Sequence, residues 1–394
     1  MSARFDRRGR ARRAAFGVAC LGLASTSLLA IAACAASDES EATEPDSSAV
    51  VPRPDAGGDA PDDAAADVDD GAAPCAPGSL CRVPTPLTTG FVTAIRGRSK
   101  SDVWASGTGG LLMRYDGQAW TALESGISDT LASLFLAEDE TWGISGTLVL
   151  RRRLDRESVR TLRSPSRPLS SITVLPGGGV YVSVIGPHNA PPVPRPVATF
   201  DFDTRVLTYP AGPFLPWSDV GQELALRASF LVPGGPLWLV GDRGTVVRYP
   251  VELPAAPADA GDAGDAGDAG DARAVLGTGN VIPAPALQDL LAAWGDGEQL
   301  WAVGRGGTIL HYDGAGWHTP PSGTTATLNA VFGLSPSDVW AAGDDGTALH
   351  FDGEAWSAVD RGAYRGSLRA IWAAAKDDVW IGGEDGMFHW GVLP

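Results

Sequence analysis

The sequence predicts an all-β fold, a seven-bladed β-propeller of four-stranded antiparallel blades, preceded by an export signal and a disordered linker. Three observations predict it. The segment DVWASGTGGLLMRYDGQAW (Asp102 to Trp120) lies over DVWAAGDDGTALHFDGEAW (Asp338 to Trp356) without a gap. Trp301, Trp340 and Trp380 recur at intervals of 39 and 40 residues. Within each unit, short apolar segments alternate with Gly-rich or Asp-Gly turns, as in a meander of short strands. Units of this kind bury their faces only when stacked around an axis.

Each unit reads as four strands: a leading apolar segment such as LNAVFGL or LRAIWAA, a VWAAG type, a TALHF type, and one around the EAW tryptophan. Strands two and three are joined by Gly-rich turns such as Gly241-Asp242-Arg243-Gly244 and Gly343-Asp344-Asp345-Gly346. Strands three and four are joined by Asp116-Gly117, Asp313-Gly314 and Asp352-Gly353. This dipeptide is expected at a tight primed turn, with positive φ at both central residues. Units begin near Val92, Leu131, Leu169, Leu226, Leu290, Leu328 and Leu368. In the second and third, Trp142 and Tyr181 hold the tryptophan position and the Asp-Gly turn is missing. The seventh stops at Met387-Phe388-His389-Trp390, before a fourth strand. Aligning Thr93 with Asn329 puts Cys81 where Trp317 stands, so residues 80 to 86 are expected to supply the outer strand that closes the ring.

The first 33 residues carry six Arg (4, 7, 8, 10, 12 and 13) against one acid, so removing them lowers the net charge from −17 to about −22. So acidic a chain is a poor match for nucleic acid. The basic start, followed by an uncharged Ala/Leu-rich run from Ala14 to Ala36, reads as an export signal over 1–33. Residues 34–74 hold twelve acids between Asp38 and Asp70 and almost no large apolar side chain, and are expected to form a disordered acidic linker. The propeller is expected over 75–394, interrupted by a low-complexity loop over 254–275 that contains ADAGDAGDAGDAGDA. Cys75 and Cys81, close together in an oxidising compartment, are expected to form a small disulfide loop. A metal pair is the alternative, though no His or further Cys lies nearby.

Ile31-Ala32-Ala33-Cys34 resembles the bacterial lipobox. The resemblance implies that Cys34 is acylated and becomes the new N-terminus, which makes attachment to the membrane stable. Ala35 stands where an inner-membrane retention Asp is often found, implying sorting to the outer membrane. Cys20 lacks the aliphatic residue three positions before it. The repeats, written DVWA.G..G...YDG..W, resemble those of secreted bacterial propeller lipoproteins, and more distantly the Asp-box propellers of the neuraminidase type. The close resemblance covers residues 91 to 120 and 290 to 394. Here Asp116 and Gly117 are adjacent, and Arg114 stands where an Asp-box has Ser or Thr. The hairpin location therefore matches and the motif does not, and no neuraminidase arginine cluster or Tyr nucleophile can be placed.

Candidate chemistry is sparse. His311, His350 and His389 recur every 39 residues, but strand three of successive blades places neighbours about 13 Å apart, too far to share a metal. Asp102, Asp338 and Asp378 precede their tryptophans by two residues and are expected to accept backbone N–H bonds in the turn. Trp104, Trp238, Trp301, Trp340 and Trp380 read as core between blades. Seven arginines in residues 151 to 167 (Arg151, Arg152, Arg153, Arg156, Arg160, Arg163 and Arg167) form a candidate anion-binding segment, or else a solvated strand edge. Arg243, Arg305, Asp344, Asp345, Glu384 and Asp385 lie in the turns between strands two and three, on the face where propellers usually bind ligands. No catalytic residue, cofactor or metal site is expected. The leading expectation is a monomeric, membrane-anchored, extracytoplasmic and non-enzymatic module binding a protein or glycan of the cell envelope. A carbohydrate-active hydrolase or lyase with acids around the channel is the alternative, and an envelope-complex assembly subunit is a third reading.

Overall fold

The computed structural model describes residues 78–153, 159–163, 169–176, 179–184, 197–201, 206–208, 225–252 and 274–391. All lie in the compact unit Asp69–Pro394. The expected export signal over 1–33, Cys34, the expected linker over 34–74, Cys75 and the low-complexity run fall outside the described residues.

The fold is a β-propeller of four-stranded antiparallel sheets. Six sheets are built from strands that follow one another in the chain, with innermost strands Val92–Ser99, Ser133–Leu136, Leu169–Val174, Leu226–Leu231, Leu290–Asp296 and Leu328–Ser335. In the fourth of these a small hairpin, Val251–Glu252 with Val275–Leu276, precedes the outer strand Asn280–Val281. A further sheet joins Leu368–Ala375, Asp378–Gly383 and Gly386–Trp390 to Leu80–Val83, so its outer strand comes from the other end of the chain. Leu80 pairs with Trp390 and Val83 with Met387, so residues within the 80 to 86 stretch close the ring as the repeat alignment requires. Cys81, at the centre of this strand, is disulfide-bonded. Each innermost strand packs against that of the next sheet, and Leu368–Ala375 packs against Val92–Ser99 to complete the circuit.

The repeat tryptophans make the core between sheets. Trp104, Trp238, Trp301, Trp340 and Trp380 are almost fully buried. Trp301 meets Trp356 of the following sheet edge-on at 5.5 Å, and Trp380 meets Trp120 at 5.2 Å across the ring closure. Two tryptophans spaced by 16 residues therefore serve different interfaces, each contributing a large apolar area.

The Asp-Gly turns differ from expectation. Positive φ falls on Gly117, Gly314 and Gly353 alone, at 99°, 94° and 101°. The aspartate before each stays outside the left-handed region. Asp116 N donates to Ala119 O, so the loop is centred one residue later, with glycine first. That is the arrangement of a primed turn needing positive φ at one central position only. The aspartate instead braces the loop with its side chain. Asp116 Oδ1 accepts from the backbone N–H of Gln118 and Ala119, both at 2.9 Å. Asp313 and Asp352 repeat the pattern on their own loops. These bonds hold the carboxyls of Asp116 and Asp352 below the ordinary value.

Candidate binding site

The residue after each leading apolar position stands at the mouth of the central channel: Thr93, Ala132, Ser170, Arg227, Leu291, Asn329 and Arg369. All seven innermost strands contribute to the lining of one cavity of about 150 Å³. Its wall is polar at the mouth, with Thr, Ser, Asn and Arg side chains. Three residues further along the strands, Phe230, Trp294, Phe332 and Trp372 form a partial aromatic collar, successive ring centroids lying 6.3, 6.4 and 6.5 Å apart. Arg96 holds the same position in its own strand and lines the cavity. The Trp372 ring lies flat against the neighbouring Gly97, where a Cβ would approach it to 2.4 Å.

The turns between strands two and three surround this mouth but are committed to joining sheets. Asp344 Oδ1 accepts from Asn329 Nδ2 at 2.8 Å and from Ser367 Oγ at 2.9 Å. Glu384 Oε2 accepts from Ser367 N, and Asp385 Oδ1 from Gly90 N at 2.6 Å. Asp289 gathers Arg305 Nε at 3.1 Å, Arg227 Nη2 at 3.7 Å and the backbone N–H of Arg243. Arg243, Asp345 and Asp385 occupy the left-handed region, with φ of 54°, 56° and 51°. None of the six turn residues singled out in the sequence lines the cavity. The lining arginines Arg96, Arg227 and Arg369 carry no motif.

Outside the channel the sheets share a second constellation. Asp102, Asp338 and Asp378 do not cap their turns: strand three carries a cation or imidazole beside each tryptophan, and the carboxylate turns toward it. His350 Nε2 meets Asp338 Oδ1 at 2.8 Å and His389 Nε2 meets Asp378 Oδ1 at 3.0 Å. Asp102 Oδ1 accepts from Arg114 Nε at 2.7 Å and Trp104 Nε1 at 2.8 Å, and Oδ2 from Arg98 Nη1 at 2.9 Å. His311 stacks on Trp301 with centroids 4.1 Å apart and bonds Gln299 instead. Arg151 fills the same position, bonded to Glu140 and lying 5.0 Å over Trp142. Among the described residues, no three His, Cys, Asp or Glu side chains gather as a metal site requires.

Burial raises the Asp102 pKa, but hydrogen bonds from Arg114, Trp104 and Arg98 outweigh it and hold the carboxyl below its ordinary 3.8. A carboxylate with a depressed folded-state pKa stabilises the fold above the unfolded-state value, and that contribution is lost as pH falls through the folded one. Asp102→Asn is therefore expected to cost about 1 to 2 kcal/mol at neutral pH. Urea unfolding at a series of pH values should show wild type and variant converging below the ordinary carboxylate range.

The basic segment divides by strand alternation. Arg153 approaches Asp139 at 3.7 Å and Glu140 at 4.0 Å, joining Arg151 at that acid, whereas Arg152 Nη1 donates to the Glu124 carbonyl. Arg160 and Arg163 lie on the strand Val159–Arg163, with Arg160 opposite Arg151. Arg156 and Arg167 lie outside the described residues.

No protein-family model matches the chain, and no curated protein matches it. Solved structures do. YCF48 bound to a D1 peptide is 16% identical with a TM-score of 0.57, covering 81% of this chain and 99% of that one. A streptogramin B lyase is 12% identical with a TM-score of 0.59, covering 79% and 96%. The extracellular domain of a putative hybrid two-component system from B. thetaiotaomicron is 12% identical with a TM-score of 0.56. The match covers 79% of this chain and 39% of that chain. At these identities the likeness is one of fold. Among the described residues no helix is long and apolar enough to cross a membrane.

Proposed function

We propose that the chain is an extracytoplasmic binding module: a seven-bladed propeller exported by residues 1–33, lipidated at Cys34, carried on the 34–74 spacer and pinned at its closure by a Cys75–Cys81 disulfide. Its partner is a protein or glycan of the cell envelope. One observation carries this reading: a single small cavity, lined from all seven innermost strands, presents guanidinium, hydroxyl and amide groups and no carboxylate. A glycoside hydrolase needs paired acids beside its substrate, and the cavity offers none. The YCF48 bound to a D1 peptide supports binding of a polypeptide by this fold, and the extracellular domain of the putative hybrid two-component system supports a place outside the cytoplasm.

The test is retention without turnover. The full chain, incubated with peptide and glycan panels, should hold specific members and return them intact; released sugar or a cleaved ligand would move the reading to an enzyme. For the anchor, Cys34→Ala is expected to shift the protein from the membrane to the soluble fraction of the producing cell. A wild-type protein already soluble would refute the anchor and leave the binding reading in place.

A further inference from the structure

The central channel combines three features that the polar scaffold does not use. The first is charge of the wrong sign for the chain. The protein carries a net −17, yet its channel is lined by Arg96, Arg227 and Arg369 without an acid. Arg227 is spoken for, bonded to Asp242 Oδ1 at 2.5 Å and near Asp289. Arg96 and Arg369 make no ion pair with a described carboxylate. The Arg369 guanidinium carbon lies 3.8 Å from the centre of the Phe91 ring, which occupies one of its faces and leaves the N–H edges available.

The second feature is the setting of Arg96. Its Nη1 donates to the carbonyl of Ile95, the residue before it, at 2.8 Å. A guanidinium has five N–H donors, so most of its capacity is unspent. It stands level with the aromatic collar, and burial lowers its pKa from the ordinary value. A guanidinium nevertheless remains charged in proteins. A half-buried cation without a counter-charge loses part of its hydration, and that cost is offset when an anion enters. The third feature is Ser170, which also lines the cavity and whose Oγ is buried without a hydrogen-bond partner among the described residues.

We propose that the central channel is a carboxylate receptor, in which Arg96 receives the carboxylate at depth and Arg369 guides it at the mouth. The planar fork of a guanidinium matches the two oxygens of a carboxylate, and Ser170, at the rim with Arg369, offers a donor to the incoming group or its stem. A cavity of about 150 Å³ has the volume of roughly five water molecules, enough for one carboxylate on a short stem. Arg96 lies three residues, about 10 Å, along the strand from the rim. The group must therefore reach in from a stem, as an acidic side chain of a bound polypeptide or a free dicarboxylic acid does. This inference specifies the ligand chemistry of the binding module proposed above and rests on that reading for its biological setting.

Calorimetry on the full chain tests it with four probes: glutarate, its neutral analogue glutaramide, inorganic sulfate, and the blocked tripeptide acetyl-Gly-Glu-Gly-amide. Glutarate is expected to bind and glutaramide not to bind. Arg96→Gln should weaken glutarate by about tenfold or more, and the exposed Arg369→Gln by a few-fold. Arg96→Gln should also unfold, without ligand, no earlier than wild type, because it removes a charge that lacks a partner. Tripeptide binding that displaces glutarate identifies a polypeptide side chain as the source, and glutarate binding alone identifies a free acid; both support the receptor. Equal binding of glutaramide, preference for sulfate, or unchanged affinity in both arginine variants would overturn it. If panel members are retained while no probe binds, the receptor falls and the binding module stands; probe binding without any panel partner has the reverse meaning.

Discussion

Gly343→Val is expected to leave the chain without a stable fold, read as loss of soluble yield and of a cooperative thermal transition. Gly343 ends the second strand of its sheet at φ −160°, an extended conformation open to any residue, so backbone freedom is not the reason for glycine. Space is the reason. A Cβ built there lies 2.1 Å from the carbonyl oxygen of Thr327 and 3.0 Å from the Leu328 Cα. That carbonyl accepts the N–H of Asp344 at 2.9 Å, the bond that seats the turn on the start of the innermost strand. Gly107, Gly241, Gly304 and Gly383 meet the equivalent carbonyls at 2.0 to 2.1 Å. Backbone cannot yield by an ångström without breaking the sheet, and a loss above about 4 kcal/mol is expected. Gly306→Ala is the control, since a Cβ there meets nothing within 4 Å; its φ of 65° predicts only a cost of about 1 kcal/mol.

Replacing both Leu80 and Val83 with aspartate is expected to open the ring. Both side chains are buried, Leu80 against the cluster holding Trp340 and Phe388, and Val83 against the cluster holding Trp380 and Met387. Lost burial is worth about 2 kcal/mol per residue, and unpaired carboxylates in that setting add at least as much. Without its outer strand, Gly386–Trp390 becomes an exposed edge presenting Met387, Phe388 and Trp390, an invitation to strand-to-strand association. Light scattering should show concentration-dependent aggregation together with a thermal midpoint lowered by ten degrees or more. A monomeric double variant with wild-type stability would contradict closure by this strand.

The scaffold was legible because repetition exposes whatever the fold needs in every unit. Tryptophans at fixed spacing, glycines at strand ends and Asp-Gly turns recur for packing reasons, and the ring-closing strand followed from one missing strand and one spare segment. Even the shared strand-three position of His311, His350 and His389 could be read from their 39-residue spacing. What they touch could not. Asp102 and Arg114 become partners only through the register that sets Trp104 opposite Arg114, and register between strands is not written in a linear spacing. The turn aspartates were misplaced by one residue for a similar reason, since Asp116-Gly117 and Gly117-Gln118 loops look alike without φ.

The channel was missed because repetition hides it. Thr93, Ala132, Leu291 and Arg369 occupy one position in four units and share no chemistry, so aligning the repeats discards them as variation. Arg96 replaces an aromatic residue and reads as an exception. By contrast, the run 151–167 drew attention by clustering in sequence, while strand alternation sends Arg151 and Arg153 toward Glu140 and Arg152 elsewhere. In a radial repeat the common residues build the ring, and the differences among equivalent positions around the axis are where recognition is expressed.

The central claim is that binding occurs at the axis, and amide hydrogen exchange tests it most directly. The full chain is measured with and without a panel member that it retains. Protection concentrated at the starts of the innermost strands, around Thr93, Ser170, Asn329 and Arg369, is the predicted result. Protection confined to the outer strands around Trp120, Trp317 and Trp356, with the axis unchanged, would contradict it.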